Sequence, residues 1–299
     1  MTAIDGHTRL LAVLGDPVHH SLSPAMHNLG MEHWGLNCRY LAFHVSPAGL
    51  PQAVRGLAAL GAVGFNATIP HKEALVGLMD ELDPTAAGVG AVNTVVIAAD
   101  GRLTGHNTDT HGFLAAMTAA FGKGPRGLRV LVLGAGGGAR GVVEGLIGAG
   151  AHEILVANRT PARAEALVGA AKQRPGDATL EAVPLDHALP RLGEIELVVN
   201  TTSLGLTPEA PEWTLLHRLV EKLAPGCGVM DIAYAPGETP LVTAARSRGL
   251  PATDGLGMLV HQGATAFRLW TGKELPIEAV THHLRKKLKE REGTKKNRG

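Results

Sequence analysis

Short apolar runs alternate with longer stretches in which apolar residues recur every three or four positions, and the alternation continues through most of the chain. Runs of the first kind predict strands and stretches of the second predict helices. In the first third, strands are expected at 10–14, 40–45 and 63–69, with helices at 24–34 and 50–60 between them. Two further strands at 92–98 and 102–105 flank Ala99-Asp100-Gly101, a turn signal that predicts a hairpin. A helix follows Asp109 as far as Phe121, and Gly122-Lys123-Gly124-Pro125 ends it. A second series then places strands at 129–133, 153–157, 196–200 and 228–232 with helices between them. Asp254-Gly255 marks a boundary before two closing helices, 256–270 and 276–290.

Strands alternating with helices define an α/β protein, and the first third predicts a mainly parallel sheet. At 299 residues with 45% hydrophobic content the chain can fill two cores. Lys and Arg number 28 against 27 Asp and Glu. So balanced a charge offers no field that would gather nucleic acid or an acidic membrane, and a small molecule is the expected partner. The basic end, 286–299, is expected to be a solvated helix end with a frayed tail. Cys38 and Cys227 stand far apart without ligand-spaced companions, which argues against a disulfide framework or a zinc site and favours a reducing cytoplasm. The polar stretch 1–9 carries no expected export signal, and no run approaches the ~18 apolar residues that span a bilayer. The paired histidines, His19-His20 and His282-His283, point apart on regular structure and lack a carboxylate at helical spacing, so no metal is expected.

The strand at 129–133 runs straight into Gly134-Ala135-Gly136-Gly137-Gly138-Ala139, and a helix follows. Strand, glycine turn and helix in that order form the dinucleotide fingerprint of a Rossmann-type domain. Gly134 and Gly136 hold its first two glycine positions and Ala139 the third. An NAD site usually offers an acidic residue about 20 residues further on. This chain has Asn158-Arg159-Thr160 and then Arg163, whose guanidiniums suit the additional phosphate of NADP and favour it by at least about tenfold. The plainer alternative is an ordinary turn followed by an exposed, Arg-bearing helix start.

Polar clusters at strand ends mark a second site: Ser21-Leu22-Ser23-Pro24, 66–72, 90–94 and Gly105-His106-Asn107-Thr108-Asp109. Taken singly, the serines could start a helix, Lys72 could be solvated and Asp109 could cap the helix after it. With Asn158-Arg159-Thr160, the run 200–205, Asp231 to Tyr234 with Thr239-Pro240-Leu241, and Gly257-Met258-Leu259 leading to Gln262, the sequence resembles the shikimate dehydrogenase family from Gly15-Asp16-Pro17 to Trp270-Thr271-Gly272. Ala67 stands where that family often has Val, and Leu206 where Met is common.

The resemblance implies two α/β domains with a cleft between them. One is a substrate domain, 1–108 completed by helices in 256–299, and the other a Rossmann-type NADP domain, 109–255. It implies reversible NADPH-dependent reduction of 3-dehydroshikimate to shikimate, within the pathway to chorismate and the aromatic amino acids. Lys72 would be the general acid and base with Asp109. Ser21, Ser23, Asn66, Thr68, Asn93, Tyr234 and Gln262 would join them around the substrate. The cofactor would meet Gly134, Ala135, Gly136, Gly137, Gly138, Ala139, Asn158, Arg159, Thr160, Arg163, Thr201, Ile232 and Gly255. A mixed quinate/shikimate dehydrogenase and a non-catalytic binding protein of the same fold are the rival readings, and a homodimer is left open.

Overall fold

The computed structural model describes residues 3–174, 176–185, 187–202 and 213–296. They belong to two compact units, Met1–Gly112 with Leu259–Lys286 and Phe113–Met258 with Lys287–Gly299. In the first unit the strands are β1 (Arg9–Gly15), β2 (Cys38–His44), β3 (Gly64–Ala67), β4 (Glu81–Leu82), β5 (Thr94–Ile97) and β6 (Leu103–His106). They form one sheet in the order β2-β1-β3-β5-β6-β4. β1 is parallel to β2 and β3, β4 is parallel to β6, and only β5 runs antiparallel to both of its neighbours, so the sheet is mainly parallel.

The helices α1 (Ser23–His33), α2 (Leu50–Ala59) and α3 (Pro84–Val89) belong to this unit. Leu50, Val54 and Leu57 recur at helical spacing on α2, and their buried stripe joins the core formed with Leu14, Phe65 and Val95. Each such side chain taken fully out of water contributes about 1.5–3 kcal/mol.

Two strands differ from their expected bounds. The run 63–69 stops at Ala67: Thr68 N–H still reaches Leu14 O, but the chain then turns, with His71 N–H on Thr68 O, and Pro70 has no N–H for a ladder. The run 92–98 begins at Thr94, because Val92 N–H is drawn away to Lys72 O at 2.8 Å. β4 and α3 were not expected, since two and six residues are too few for a period to emerge. Their start is nevertheless written in the sequence: Asp83 accepts Ala86 N–H at 2.7 Å, with Pro84 in the first turn.

The helix α4 (Asp109–Phe121) opens the second series. Its strands are β7 (Arg129–Leu133), β8 (Glu153–Asn158), β9 (Thr179–Pro184), β10 (Leu197–Asn200), β11 (Gly228–Asp231) and β12 (Ala252–Thr253), all parallel, in the order β12-β11-β10-β7-β8-β9. Successive residues point to opposite faces of a strand, and in the central strands both faces are buried. Val130, Val132, Ile154 and Val156 enter one core while Leu131, Leu133, Leu155 and Ala157 enter the other. The helices α5 (Gly137–Gly148), α6 (Pro161–Ala171), α7 (Trp213–Lys222) and α8 (Pro240–Ser247) connect the strands, and α9 (Leu256–Thr271) and α10 (Ile277–Lys296) close the chain. Edge strands β9 and β12 went unpredicted, the first because Thr179 and Glu181 dilute its apolar content and the second because it has two residues.

Candidate active site

The register of the first sheet gathers its polar residues at one edge. Asn66 pairs with Thr94 across β3 and β5, and Thr94 pairs with His106 across β5 and β6. The segments 66–72, 91–94 and 106–109 therefore emerge side by side. Each carries residues that a core of this size would replace with apolar ones unless they were bonded to one another.

Lys72 Nζ lies 2.6 Å from Asp109 Oδ2 in an ion pair whose side chains are 16% and 5% exposed. Asn93 Nδ2 donates to Asp109 Oδ1 at 2.8 Å and so fixes which carboxylate oxygen faces the lysine. Asn93 is held in turn, its Oδ1 accepting Thr108 N–H at 2.8 Å and the Thr94 hydroxyl at 3.1 Å. Gln262, brought in by α9, accepts from Thr108 Oγ1 at 3.3 Å while its Nε2 donates to Leu259 O at 2.8 Å. α9 comes this close to α4 because residue 112 is glycine: a Cβ there would stand 2.6 Å from Gln262 Cβ. A half-buried ammonium whose described bond is to one braced carboxylate, next to amide and hydroxyl groups, can hand a proton to, and take one from, an oxygen set beside it.

The plainer readings of Asp109 and Lys72 fit the geometry less well than that of the two serines. Asp109 does not cap α4, since its carboxylate is taken up by Lys72 and Asn93, and it is Asn107 Oδ1 that accepts Asp109 N–H at 3.1 Å. Lys72 stands in the turn between β3 and a 3-10 segment at Ala74–Leu78, not on a helix. At the start of α1, Ser21 Oγ accepts Ser23 N–H at 3.2 Å, whereas no side chain caps the helix from the N-cap position, Leu22. The Ser21 bond serves the helix start, as the plainer reading of the serines expects, and Ser23, the first residue of α1, is buried. Thr68 is half-buried, and its described bonds are those of its backbone. Tyr234 belongs to the second unit.

In that unit the strand order reverses at β7, which has β10 on one side and β8 on the other, and the glycine turn leaves β7 at this switch point. Gly134 has φ +108°, and a Cβ on it would stand 2.5 Å from Thr201 Oγ1, so glycine is required by both backbone and space. Thr201 Oγ1 donates to Leu133 O at 2.7 Å. Gly136 precedes α5, no side chain caps that helix, and a Cβ at 136 would meet open space; such first-turn amides suit a phosphate. Ile232 and Gly255 join the turn's far side: an added Cβ on Gly138 would meet Ile232 Cδ1 at 2.9 Å, and one on Gly255 would collide with Ile232 O. At the end of β8, parallel to β7, Asn158 Nδ2 donates to Thr160 O at 2.9 Å, and Arg159, Thr160 and Arg163 are exposed. These features fit a dinucleotide carrying an additional phosphate.

Asp231, at the end of β11, organises the neighbouring loop starts. Its Oδ1 accepts Asn200 Nδ2 at 3.1 Å and Ala233 N–H at 3.1 Å, and Asn200 Oδ1 takes the Thr202 hydroxyl at 2.7 Å. Burial, with a small addition from Asp254, pushes the Asp231 carboxyl up to about 6. A raised carboxyl pKa stabilises the fold below the unfolded value near 3.8, and that contribution is lost as pH rises through about 6. The ionised group then costs roughly 3 kcal/mol. Asp231→Asn keeps the accepting oxygen, and denaturant melts are expected to find it more stable than the parent at pH 8, with the gain gone at pH 4. A constant difference across that range would contradict the assignment.

The structure thus joins Asn66, Lys72, Asn93, Asp109 and Gln262 in one hydrogen-bonded network and pairs Gly134 with Thr201 and Ile232 with Gly138 and Gly255. Thr94, Asn107 and Thr108, all buried, belong to the first network; the sequence placed them in its polar clusters but gave them no role of their own. Their signal was present as polar residues inside otherwise apolar strand ends. Positions 203–206, including Leu206, lie outside the described residues. Among the described residues no three His, Cys, Asp or Glu side chains gather as a metal ion would need, and no helix is long and apolar enough to cross a membrane.

A nucleotide-type glycine turn at a sheet's switch point and a half-buried Lys–Asp pair among hydroxyl and amide groups define the class of two-domain nicotinamide-dependent oxidoreductases. Residues 13–95 match the family described as shikimate dehydrogenase substrate binding domain, 118–221 the shikimate / quinate 5-dehydrogenase family and 255–285 the shikimate 5'-dehydrogenase C-terminal domain. The chain is 48% identical over 282 residues to the shikimate dehydrogenase (NADP(+)) of Magnetococcus marinus, covering 94% of this chain and 97% of the relative. The shikimate 5-dehydrogenase of Thermus thermophilus, solved with NADP(H) and shikimate, is 38% identical with a TM-score of 0.79, covering 93% of this chain and 99% of that one. The quinate dehydrogenase of Corynebacterium glutamicum, solved with NAD, is 32% identical with a TM-score of 0.81, covering 93% and 98%. The chain belongs to the shikimate dehydrogenase family.

Proposed function

We propose that the chain is an NADP-dependent shikimate dehydrogenase that interconverts 3-dehydroshikimate and shikimate. The observation that carries this reading is the half-buried Lys72–Asp109 pair, 2.6 Å apart and braced by Asn93. Ser21 and Ser23 offer converging hydroxyls to the substrate carboxylate, which accepts several bonds and needs no formal cation when enough donors meet it. Asn66, Thr68, Asn93, Tyr234 and Gln262 hold the ring hydroxyls. Bound NADPH supplies the hydride for the ketone carbon.

Lys72 gives a proton to the substrate oxygen as charge develops there, and takes it back in the oxidation direction. Asp109 orients Lys72 Nζ through Oδ2 while Asn93 keeps Oδ1 occupied. The turn Gly134 to Ala139 holds the pyrophosphate, Asn158, Arg159, Thr160 and Arg163 the adenosine end with its additional phosphate, and Thr201, Ile232 and Gly255 the nicotinamide end. The cytoplasm is the proposed compartment, in keeping with the free thiols of Cys38 and Cys227.

Adding shikimate and NADP to the purified chain is expected to produce the absorbance of reduced nicotinamide at a steady rate, and no change in absorbance would overturn the reading. Mixed activity on quinate is the second reading, favoured by the breadth of the matched shikimate / quinate family.

A further inference from the structure

Tyr40 is wholly buried in β2, yet its hydroxyl finds a side chain and not the backbone: it donates to Asn66 Oδ1 at 2.6 Å. Burial holds the phenol well above its ordinary pKa, so it remains a donor, and the Ser23 side chain also acts on it. Tyr40 is held at its backbone and on its ring face by α1, the helix that Ser23 begins. Asn28 brackets its backbone, accepting Tyr40 N–H at 2.9 Å and donating to Tyr40 O at 2.8 Å. His27, one residue earlier, stacks on the phenol at 4.4 Å between ring centroids. His27 is itself fully buried and near enough to Asn66 for that side chain to act on its ring, but burial outweighs this and lowers its pKa to about 3, so it packs as a neutral plate.

The consequence falls on Asn66. Its Nδ2 donates to Asn93 O at 3.1 Å and to Thr94 Oγ1 at 2.9 Å, which occupies both amide hydrogens. Turning the amide over would set its carbonyl against Asn93 O, which can only accept, and would force the Tyr40 hydroxyl to stop donating, a mismatch of about 1–3 kcal/mol for each buried group left unpaired. Oδ1 is therefore the accepting atom of Asn66, with the Tyr40 hydroxyl bonded to it and the His27 ring beside the same side chain.

We propose that Tyr40 is a positioning residue that locks Asn66 as a pure hydrogen-bond acceptor, so that this corner of the site selects a substrate carrying a hydroxyl donor there. Clamped by the helix that begins at Ser23, Tyr40 ties the groove for the carboxylate to the contact for the hydroxyl. The proposal rests on the reading that Asn66 touches the substrate.

A double-mutant cycle tests it with shikimate and NADP. Tyr40→Phe keeps the ring and is expected to raise KM for shikimate about tenfold, with kcat and KM for NADP within about twofold of the parent. Asn66→Ala is expected to raise the same KM, and Tyr40→Phe on that background to add nothing, because a residue acting through Asn66 has no effect once Asn66 is gone. If Tyr40→Phe is not recovered folded, Asn28→Ala, which loosens the Tyr40 backbone, takes its place with the same expectation. Full additivity of the two substitutions, or an unchanged shikimate KM in Tyr40→Phe while Asn66→Ala raises it, overturns the positioning role alone. An unchanged KM in Asn66→Ala removes Asn66 from the substrate site, and the proposal with it.

Discussion

Lys72→Ala is expected to lower kcat for shikimate oxidation by at least about a hundredfold, while KM for shikimate and for NADP change by less. The loss falls on turnover because the ammonium is needed most when the substrate oxygen gains or loses its proton, and Ser21, Ser23, Gln262 and the nucleotide turn remain to bind the ligands. Neighbouring groups cannot substitute. Asp109 points its Oδ2 at Lys72 from 2.6 Å, and Asn93 and Thr108 are already bonded to one another at 3.0 Å. Asp109→Asn should weaken turnover in the same direction, since an amide leaves the lysine without its orienting charge, and combining it with Lys72→Ala should lose little more than Lys72→Ala alone, the mark of residues acting as a unit. Steady-state rates on the three variants decide the matter, and near-normal turnover in Lys72→Ala would remove the pair from the chemistry.

Arg159→Ala combined with Arg163→Ala is expected to raise KM for NADP by about a hundredfold, about tenfold for each arginine, and to leave KM for NAD nearly unchanged. The expectation follows from position. β8 ends at Asn158, beside the strand that delivers the glycine turn, and the two arginines come immediately after it with no carboxylate among residues 158–163 to bond a ribose hydroxyl. Guanidiniums bind phosphate with paired, charge-assisted bonds, so their loss should be felt only by the nucleotide that has the additional phosphate. Both side chains are exposed, and the effect should shrink as salt is added. Equal losses with NADP and NAD would show instead that the segment supports the fold of the turn.

Much of this architecture could be read from periodicity because most strands are buried on both faces and stand out as unbroken apolar runs, as in Val130 to Leu133 and Ile154 to Ala157. The pieces that escaped are short or sit at sheet edges. β4 and β12 have two residues each, and β9 mixes Thr and Glu into its exposed face. The glycine turn was legible because strand, turn and helix are contiguous. The substrate end is assembled from four separated segments, so only its polar clusters could be seen, not the pairing register that sets Asn66 opposite Thr94 or brings Thr108 to Asn93. Tyr40 gave no warning, since one aromatic residue in a strand reads as core until its hydroxyl is seen on Asn66. The tie between Asp231 and Asn200 spans 31 residues and two strands, beyond any local pattern.

The most direct test of the account is a comparison of kcat/KM for shikimate and quinate, each measured with NADP and with NAD. The serines at 21 and 23 and the arginines after β8 predict that shikimate with NADP exceeds the other three pairs by at least about tenfold. A higher value for quinate or for NAD would contradict the assignment of the serines or of the arginines, and no turnover with any pair would contradict the catalytic reading itself.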